Sequence, residues 1–170
     1  MSHTSTYEPA FRRRREEKTD YTKRLAQLKS GKHRLVVRKS NNSTIVQIVR
    51  FEEKGDVMVS AANSRELKEF GWKMHCGNLP AAYLAAFLCC KKAGKKGPAE
   101  AILDIGLSTP VHGSRVFAAL KGAVDSGMKI KCDEKVFPSA DRFSGKHISE
   151  DAAKQFIAVK DAIEKKYGGK

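Results

Sequence analysis

RLVVRKSNNSTIVQIVRF, residues Arg34–Phe51, predicts a β-hairpin around which the rest of the fold can be placed. Apolar residues alternate on both sides of Asn41-Asn42, and asparagine suits a tight turn because it tolerates positive φ. Two loop residues fix the pairing of the strands, since a one-residue slip would turn every side chain to the other face. The expected facing pairs on the core side are Val37 with Val46 and Leu35 with Ile48.

The other face of the hairpin is unusual in its charge. It presents Arg34, Val36, Arg38, Gln47 and Val49. The surrounding window, Tyr21–Phe51, holds eight Lys or Arg residues and no Asp or Glu. Because arginine forks match phosphate oxygens, this face is predicted to grip a phosphate backbone. The alternative is a solvated edge face with incidental arginines.

The remaining pattern predicts a single α/β (α+β) domain. Further strands are expected at 56–62 and 99–107, the second of them buried on both faces, and a short helix capped by Ser64 at 64–72. Longer helices are expected at 78–97, 113–127 and 148–169, the last opened by Ser149, with an irregular loop at 129–147. The order is β-β-β-α-β-α, which predicts one mixed sheet with helices packed on it and the fourth strand beside the first.

Composition predicts an acidic partner. The net charge is +14 and the pI about 9.8, which fits a nucleic acid or an anionic membrane surface. No secretory signal or membrane-length apolar run is seen, so a cytoplasmic location is expected. The four cysteines show no CxxC spacing, so no metal or cofactor is predicted.

The first 32 residues predict a basic arm with a short helix near residues 22–32. FRRRREEKTDY, residues 11–21, has more arginines than acids, so it is expected to be loose alone and ordered by a polyanion, with Tyr21 stacking on a base. A sorting signal or a solubilising tail is the alternative. A further lysine patch, Lys91–Lys96, stands at a helix C-terminus, where the helix dipole alone favours lysine. The predicted organisation is arm 1–32, mixed core 33–138, and loop with C-terminal helix 139–170.

Several motifs in order carry a family resemblance: RRRREEKTDY, RLAQLKSGKHRLVVRKSNNSTIVQIV, a Gly-Asp pair, NLPAAYLAAFL and LDIGLSTPVHGSRVFAALKGAVDSG. From about Ala10 to about Pro138 the chain resembles the large ribosomal subunit protein eighteen family, which binds 5S rRNA. The chain lacks the long C-terminal extension of eukaryotic members, which favours the archaeal form.

The resemblance implies a role in translation and a set of partners. These are 5S rRNA, large-subunit rRNA at the central protuberance and neighbouring ribosomal proteins, in the cytoplasmic ribosome and without a membrane. It implies RNA contacts by the arm and the strand region, Arg12–Lys39. With the hairpin and one helix start added, the predicted contacts are Arg12, Arg13, Arg14, Arg15, Lys18, Tyr21, Lys23, Arg24, Lys29, Lys32, His33, Arg34, Arg38, Lys39, Asn41, Asn42, Gln47 and Arg115.

Other functions fit the sequence less well than RNA binding. A metal-dependent nuclease needs several converging carboxylates, but the first two strands hold none and Asp104 has no evident partner. His75, adjacent to Cys76, would point away from it, and His112 is better placed for a phosphate contact or beside a helix cap than for acid–base work. We therefore expect no enzyme activity. A membrane-binding helix would have only Leu25 and Leu28 to insert. A non-ribosomal RNA chaperone or modification-complex subunit fits the charge but not the order of motifs.

Overall fold

The computed structural model describes residues 8–94 and 97–168, and these form a mixed four-stranded sheet with helices packed on it. The strands are β1 (His33–Lys39), β2 (Thr44–Arg50), β3 (Val57–Asn63) and β4 (Ala101–Asp104). Their order is β3-β2-β1-β4, with β1 parallel to β4 and the other neighbours antiparallel. The predicted mixed sheet, with the fourth strand beside the first, is confirmed.

The hairpin has the predicted register. The Ser40 amide donates to the Ser43 carbonyl at 2.8 Å, which leaves Asn41 and Asn42 as the two turn residues. The core pairs are Leu35 with Ile48 and Val37 with Val46, and all four side chains are fully buried. The opposite face of β1 and β2 is therefore fixed as well, and it carries the candidate site.

The helices are α1 (Arg12–Arg15), α2 (Tyr21–Leu28), α3 (Leu79–Ala93), α4 (Arg115–Asp125), α5 (Ala140–Ser144) and α6 (Glu150–Tyr167). Helix α3 is buried along most of its length, between the core face of the sheet and helices α4, α5 and α6. Gly122 of α4 allows the closest approach, since a Cβ there would lie 2.2 Å from the Tyr83 carbonyl oxygen of α3. Ser149 caps α6 by accepting from the Ala152 amide at 3.1 Å, as predicted.

Three local expectations are wrong. The 3-10 helix Ser64–Phe70 is capped by Asn63, whose side chain accepts from the Arg65 amide, while Ser64 instead accepts from the Thr44 amide. The segment 129–147 is not wholly irregular, because it contains a short 3-10 helix, Glu134–Val136, and α5. In the described sheet, strand β4 lies at the edge beside β1, and its Ile102 and Leu103 are half-buried rather than enclosed.

Parts of the predicted segments lie outside the described residues, namely residues 1–7 of the arm, Lys95 and Lys96 of the lysine patch, and Gly169 at the end of the C-terminal helix. Within the described ranges, no helix combines the length and the apolar character needed to cross a membrane.

Candidate nucleic-acid interface

A cleft of about 470 Å³ opens where the arm meets the outer face of the sheet. Its walls come from α2 and the residues before it, from β1, and from the loop that follows β4. The lining residues are Arg13, Lys18, Thr19, Asp20, Lys23, Arg24, Gln27, Arg34, Arg38, Lys39, Asp104, Ile105, Gly106, Leu107 and Ser108. Seven of these side chains are cationic and two are acidic, so the cleft suits an anionic ligand.

Helix α2 begins at a side-chain cap and is attached by polar contacts. Asp20 accepts hydrogen bonds from the amides of Thr22 and Lys23 at 3.0 and 3.1 Å. The hydrogen bond from the Lys23 amide is the largest cause that holds the pKa of Asp20 below its ordinary value. Farther along the helix, the Gln27 side-chain amide donates to the Leu103 carbonyl at 3.3 Å. The short helix expected near residues 22–32 is therefore present as α2, and it is docked on the sheet.

Arg34 lies at the centre of a buried charge network on the outer face. Its side chain is 3% exposed and bonds Asp104 at 3.0 Å and Asp56 at 2.5 Å. Asp56 also accepts from Arg24 of α2 at 2.9 Å. Burial raises the pKa of Asp56, but the hydrogen bonds from Arg34 and Arg24 together outweigh it and hold that pKa below its usual range. The network thus joins the sheet to the arm.

The expectation that Arg34 lies on an open sheet face is wrong, and its contact with RNA backbone stays a prediction. Both terminal guanidinium nitrogens are held by carboxylates, and Nε is buried with no partner among the described residues. The acid-free window had indicated that the missing negative charge lay outside the chain. Part of it lies within the chain, because Asp56 and Asp104 come from outside the window. Asp104, considered from the sequence only as a possible metal-binding carboxylate, forms ion pairs with both Arg34 and Arg38.

Arg38 keeps a surface available to a ligand. Its side chain is 44% exposed and bonds the Asp104 carboxylate at 3.0 Å, the Asp104 carbonyl at 2.8 Å and the Val37 carbonyl at 3.0 Å. A guanidinium has five N–H donors, so two remain. Lys39, next along β1, is exposed and has no ion-pair partner in the part of the chain that the structure describes. Arg38 and Lys39 are therefore both exposed, as a contact with RNA requires.

The arginine run forms a single exposed helical turn. Glu16 lies 3.9 Å from Arg12 and 2.9 Å from Lys18, and Arg13 Nε donates to the Thr19 hydroxyl at 2.9 Å. In contrast, no ion pair of Arg14 or Arg15 is found within residues 8–94 and 97–168. The local acids therefore neutralise only part of the run.

Of the other predicted contacts, Lys23 lines this cleft, whereas Tyr21, Lys29, Lys32, His33, Asn41, Asn42 and Gln47 are not among its lining residues. Lys23 pairs with Asp20 at 3.6 Å, and Lys32 with Glu100 at 2.7 Å. The side chains of Tyr21, Lys29, Asn41 and Asn42 are exposed, while those of His33 and Gln47 are half-buried. The Gln47 amide lies 3.5 Å from the Met58 sulfur.

Arg115 has a structural role that its assignment as an RNA contact did not include. Its Nη1 donates to the Ser40 carbonyl at 2.7 Å and to the Gly77 carbonyl at 2.8 Å. Gly77 lies tightly against the hairpin, because a Cβ there would be 2.3 Å from the Asn41 carbonyl oxygen. Arg115 therefore fastens the hairpin turn to the segment before α3.

Sequence reasoning missed the cleft residues Thr19, Asp20, Gln27, Gly106 and Ser108. Asp20 could have been found, because an aspartate before a helical segment is a typical N-cap. The loop 105–108 gives no such signal, since it reaches the cleft only through the pairing of β4 with β1. Gly106 adopts φ +62° there, and a Cβ would lie 3.0 Å from the Arg38 guanidinium carbon.

The fold and the site define a small α/β protein with a cationic cleft suited to a polyanion. The described residues contain no group of three or more His, Cys, Asp or Glu side chains that could hold a metal ion. The chain matches the sequence model of the family described as ribosomal large subunit proteins 60S L5 and 50S L18, over residues 5–96 and 91–133. These segments cover more than half of the chain, which therefore belongs to this family of large-subunit ribosomal proteins. The resemblance stated from the sequence is confirmed.

Family membership has direct consequences. The family consists of structural ribosomal proteins rather than enzymes, and its members are located in the ribosome and associate with rRNA and other ribosomal proteins. The cationic cleft and the exposed arginine turn carry positive charge of the kind that a polyanion attracts.

Proposed function

We propose that this protein, as the archaeal type of its family, binds 5S rRNA and attaches it to large-subunit rRNA at the central protuberance of the cytoplasmic ribosome. The family match supports a ribosomal role, and the cleft supports direct contact with RNA. The observation that carries the proposal is the cluster of cations at the junction of arm and sheet, where seven basic side chains face two acids.

The cations that remain available indicate how RNA is held. Arg14, Arg15 and Lys39 are exposed and lack ion pairs among the described residues, and Arg38 retains two donors. Such contacts neutralise phosphates and fix orientation, whereas recognition of a structured RNA depends on its shape. The cations then supply the affinity for RNA. The preference for 5S rRNA comes from the rigid arrangement of these cations in the cleft.

The direct test compares 5S rRNA with a tRNA under physiological salt. The folded protein should bind 5S rRNA more tightly, because the tRNA offers phosphates without the matching shape. Equal affinity for the two RNAs would contradict the proposal. For the attachment step, a tagged fragment of large-subunit rRNA should retain 5S rRNA only when the protein is present. Retention that does not depend on the protein would exclude the bridging role.

A matched pair of variants tests the location of the site. R14Q/R15Q removes two arm charges, and K154Q/K165Q removes two exposed charges from α6. If both arginines contact phosphate, R14Q/R15Q should reduce the slope of log K against log salt by about 1.4 to 1.8. The α6 variant should leave that slope unchanged. Equal effects of the two variants would show that only net charge matters.

A further inference from the structure

Asp56 is the residue through which the arm is held on the sheet. It lies in the segment between β2 and β3, and one carboxylate oxygen accepts from Arg24 of α2 and from Arg34 of β1. We propose that Asp56 is a positioning residue for RNA binding, which fixes α2 on the sheet and so sets the shape of the cationic cleft. This inference rests on the proposed function and names the group that prepares its site.

Helix α2 depends on such a link because apolar packing contributes little to its attachment. None of its eight residues is buried, since Leu25 is 55% exposed and Leu28 is only half-buried. An isolated helix of this length is marginal in water. Within the described residues, Arg24–Asp56 is the only ion pair that joins α2 to the sheet, and Gln27 adds one hydrogen bond to Leu103. Loss of the carboxylate should therefore release the helix.

Asp56 can serve as an anchor because its own position is fixed. Arg34 is buried on β1 and is held from the other side by Asp104. The carboxylate of Asp56 is thus tied to the rigid sheet by one hydrogen bond and free to hold the arm by another. Charge-assisted hydrogen bonds of this kind are stronger than neutral ones.

The proposal predicts an effect opposite in sign to simple electrostatics. Removing an acid from a surface that binds a polyanion raises the positive potential, which by itself tightens binding. If Asp56 positions the arm, D56N should weaken binding despite the gained charge. Glu53 provides the matched control, since it lies in the same turn, is exposed and has no ion pair among the described residues. E53Q makes the same change in charge without touching the arm.

The first measurement uses the free protein. Trypsin cleavage after Lys23 should be about tenfold faster in D56N than in the wild type, the size expected from loss of one charge-assisted hydrogen bond. E53Q should match the wild type, and D56E should recover part of the protection. R24Q cuts the same link without disturbing Arg34, so it should speed cleavage similarly even if D56N folds poorly. The double variant R24Q/D56N should cleave no faster than R24Q.

The second measurement is the affinity for 5S rRNA across a salt series. D56N should bind several-fold more weakly and with a shallower salt slope, because fewer phosphates are reached at once. E53Q should bind as well as the wild type or slightly better. Tighter binding by D56N, or unchanged cleavage in both D56N and R24Q, would overturn the proposal. If the wild type itself shows no preference for 5S rRNA, the proposed function fails, while the cleavage rates still decide whether Asp56 holds α2.

Discussion

Arg34 and Arg38 point to the same face of β1, yet replacing each with methionine should have different consequences. Arg34 is 3% exposed and contacts two carboxylates, one of them on the 9% exposed side chain of Asp104. Arg38 is 44% exposed and shares Asp104 with Arg34. The sequence alone treats the two arginines as equivalent.

Arg34→Met should destabilise the fold by about 3 kcal/mol, the lower end of the 3–5 kcal/mol found when one partner of a buried ion pair is removed. The lower end applies because Asp104 keeps Arg38 and Asp56 keeps Arg24 as partners. Arg38→Met should cost at most about 1 kcal/mol, as for exposed pairs. It should instead weaken RNA binding and reduce the salt slope by about 0.7 to 0.9, since one phosphate contact is lost.

Urea unfolding followed by the fluorescence of Trp72 measures the stability of each variant. This single tryptophan is 2% exposed and reports on the core. The slope of free energy against urea should not change, so shifts of the midpoint can be read as stability. Adding Asp104→Asn to Arg34→Met should be less than additive, because each change alone already breaks the same Arg34–Asp104 ion pair. Equal destabilisation by Arg34→Met and Arg38→Met would refute the reasoning.

Three further outcomes are expected. Removal of residues 1–19 should flatten the salt slope for 5S rRNA by about 2 to 3, as for three lost phosphate contacts, while preference over tRNA persists; an unchanged slope would show that the arm does not touch phosphate. The folded-state pKa of Asp56 is lowered, so the stability that its carboxylate contributes is complete above about pH 4 and is lost as pH falls through the folded pKa. Acid unfolding curves of D56N should lack this loss of stability, and a curve identical to that of the wild type would contradict the prediction. Gly122→Ala, which in an open helix would stabilise, should instead destabilise by about 1–3 kcal/mol in urea, because its Cβ meets the Tyr83 carbonyl; a more stable variant would contradict the packing.

The parts of the fold that sequence predicted depend on local signals. Two asparagines between alternating apolar runs set the register of the hairpin, and Ser149 with acids after it marked the start of α6. Helix α3 was predicted from its apolar spacing. In each case the residues that decide the structure lie within a few positions of one another.

The parts that sequence missed depend on contacts between distant residues. Arg34 is separated by 22 positions from Asp56 and by 70 from Asp104. A charge count in a window of 31 residues could not include them, so the window looked uncompensated. Arg115 likewise reaches Ser40 across 75 positions. Strand pairing and helix packing bring these groups together, and neither can be predicted from the local periodicity of the sequence.

The same network explains why acids belong in a surface proposed to bind RNA. Arg38 uses three of its N–H donors in hydrogen bonds to Asp104 and Val37, and these bonds fix the plane of the guanidinium. The two donors left are enough for one bidentate contact with a phosphate. A free arginine would lose side-chain entropy on binding, whereas this one is already ordered, so less of the contact energy is offset. Asp104 therefore lowers the total charge of the cleft but makes the exposed cation beside it a more directional ligand for phosphate.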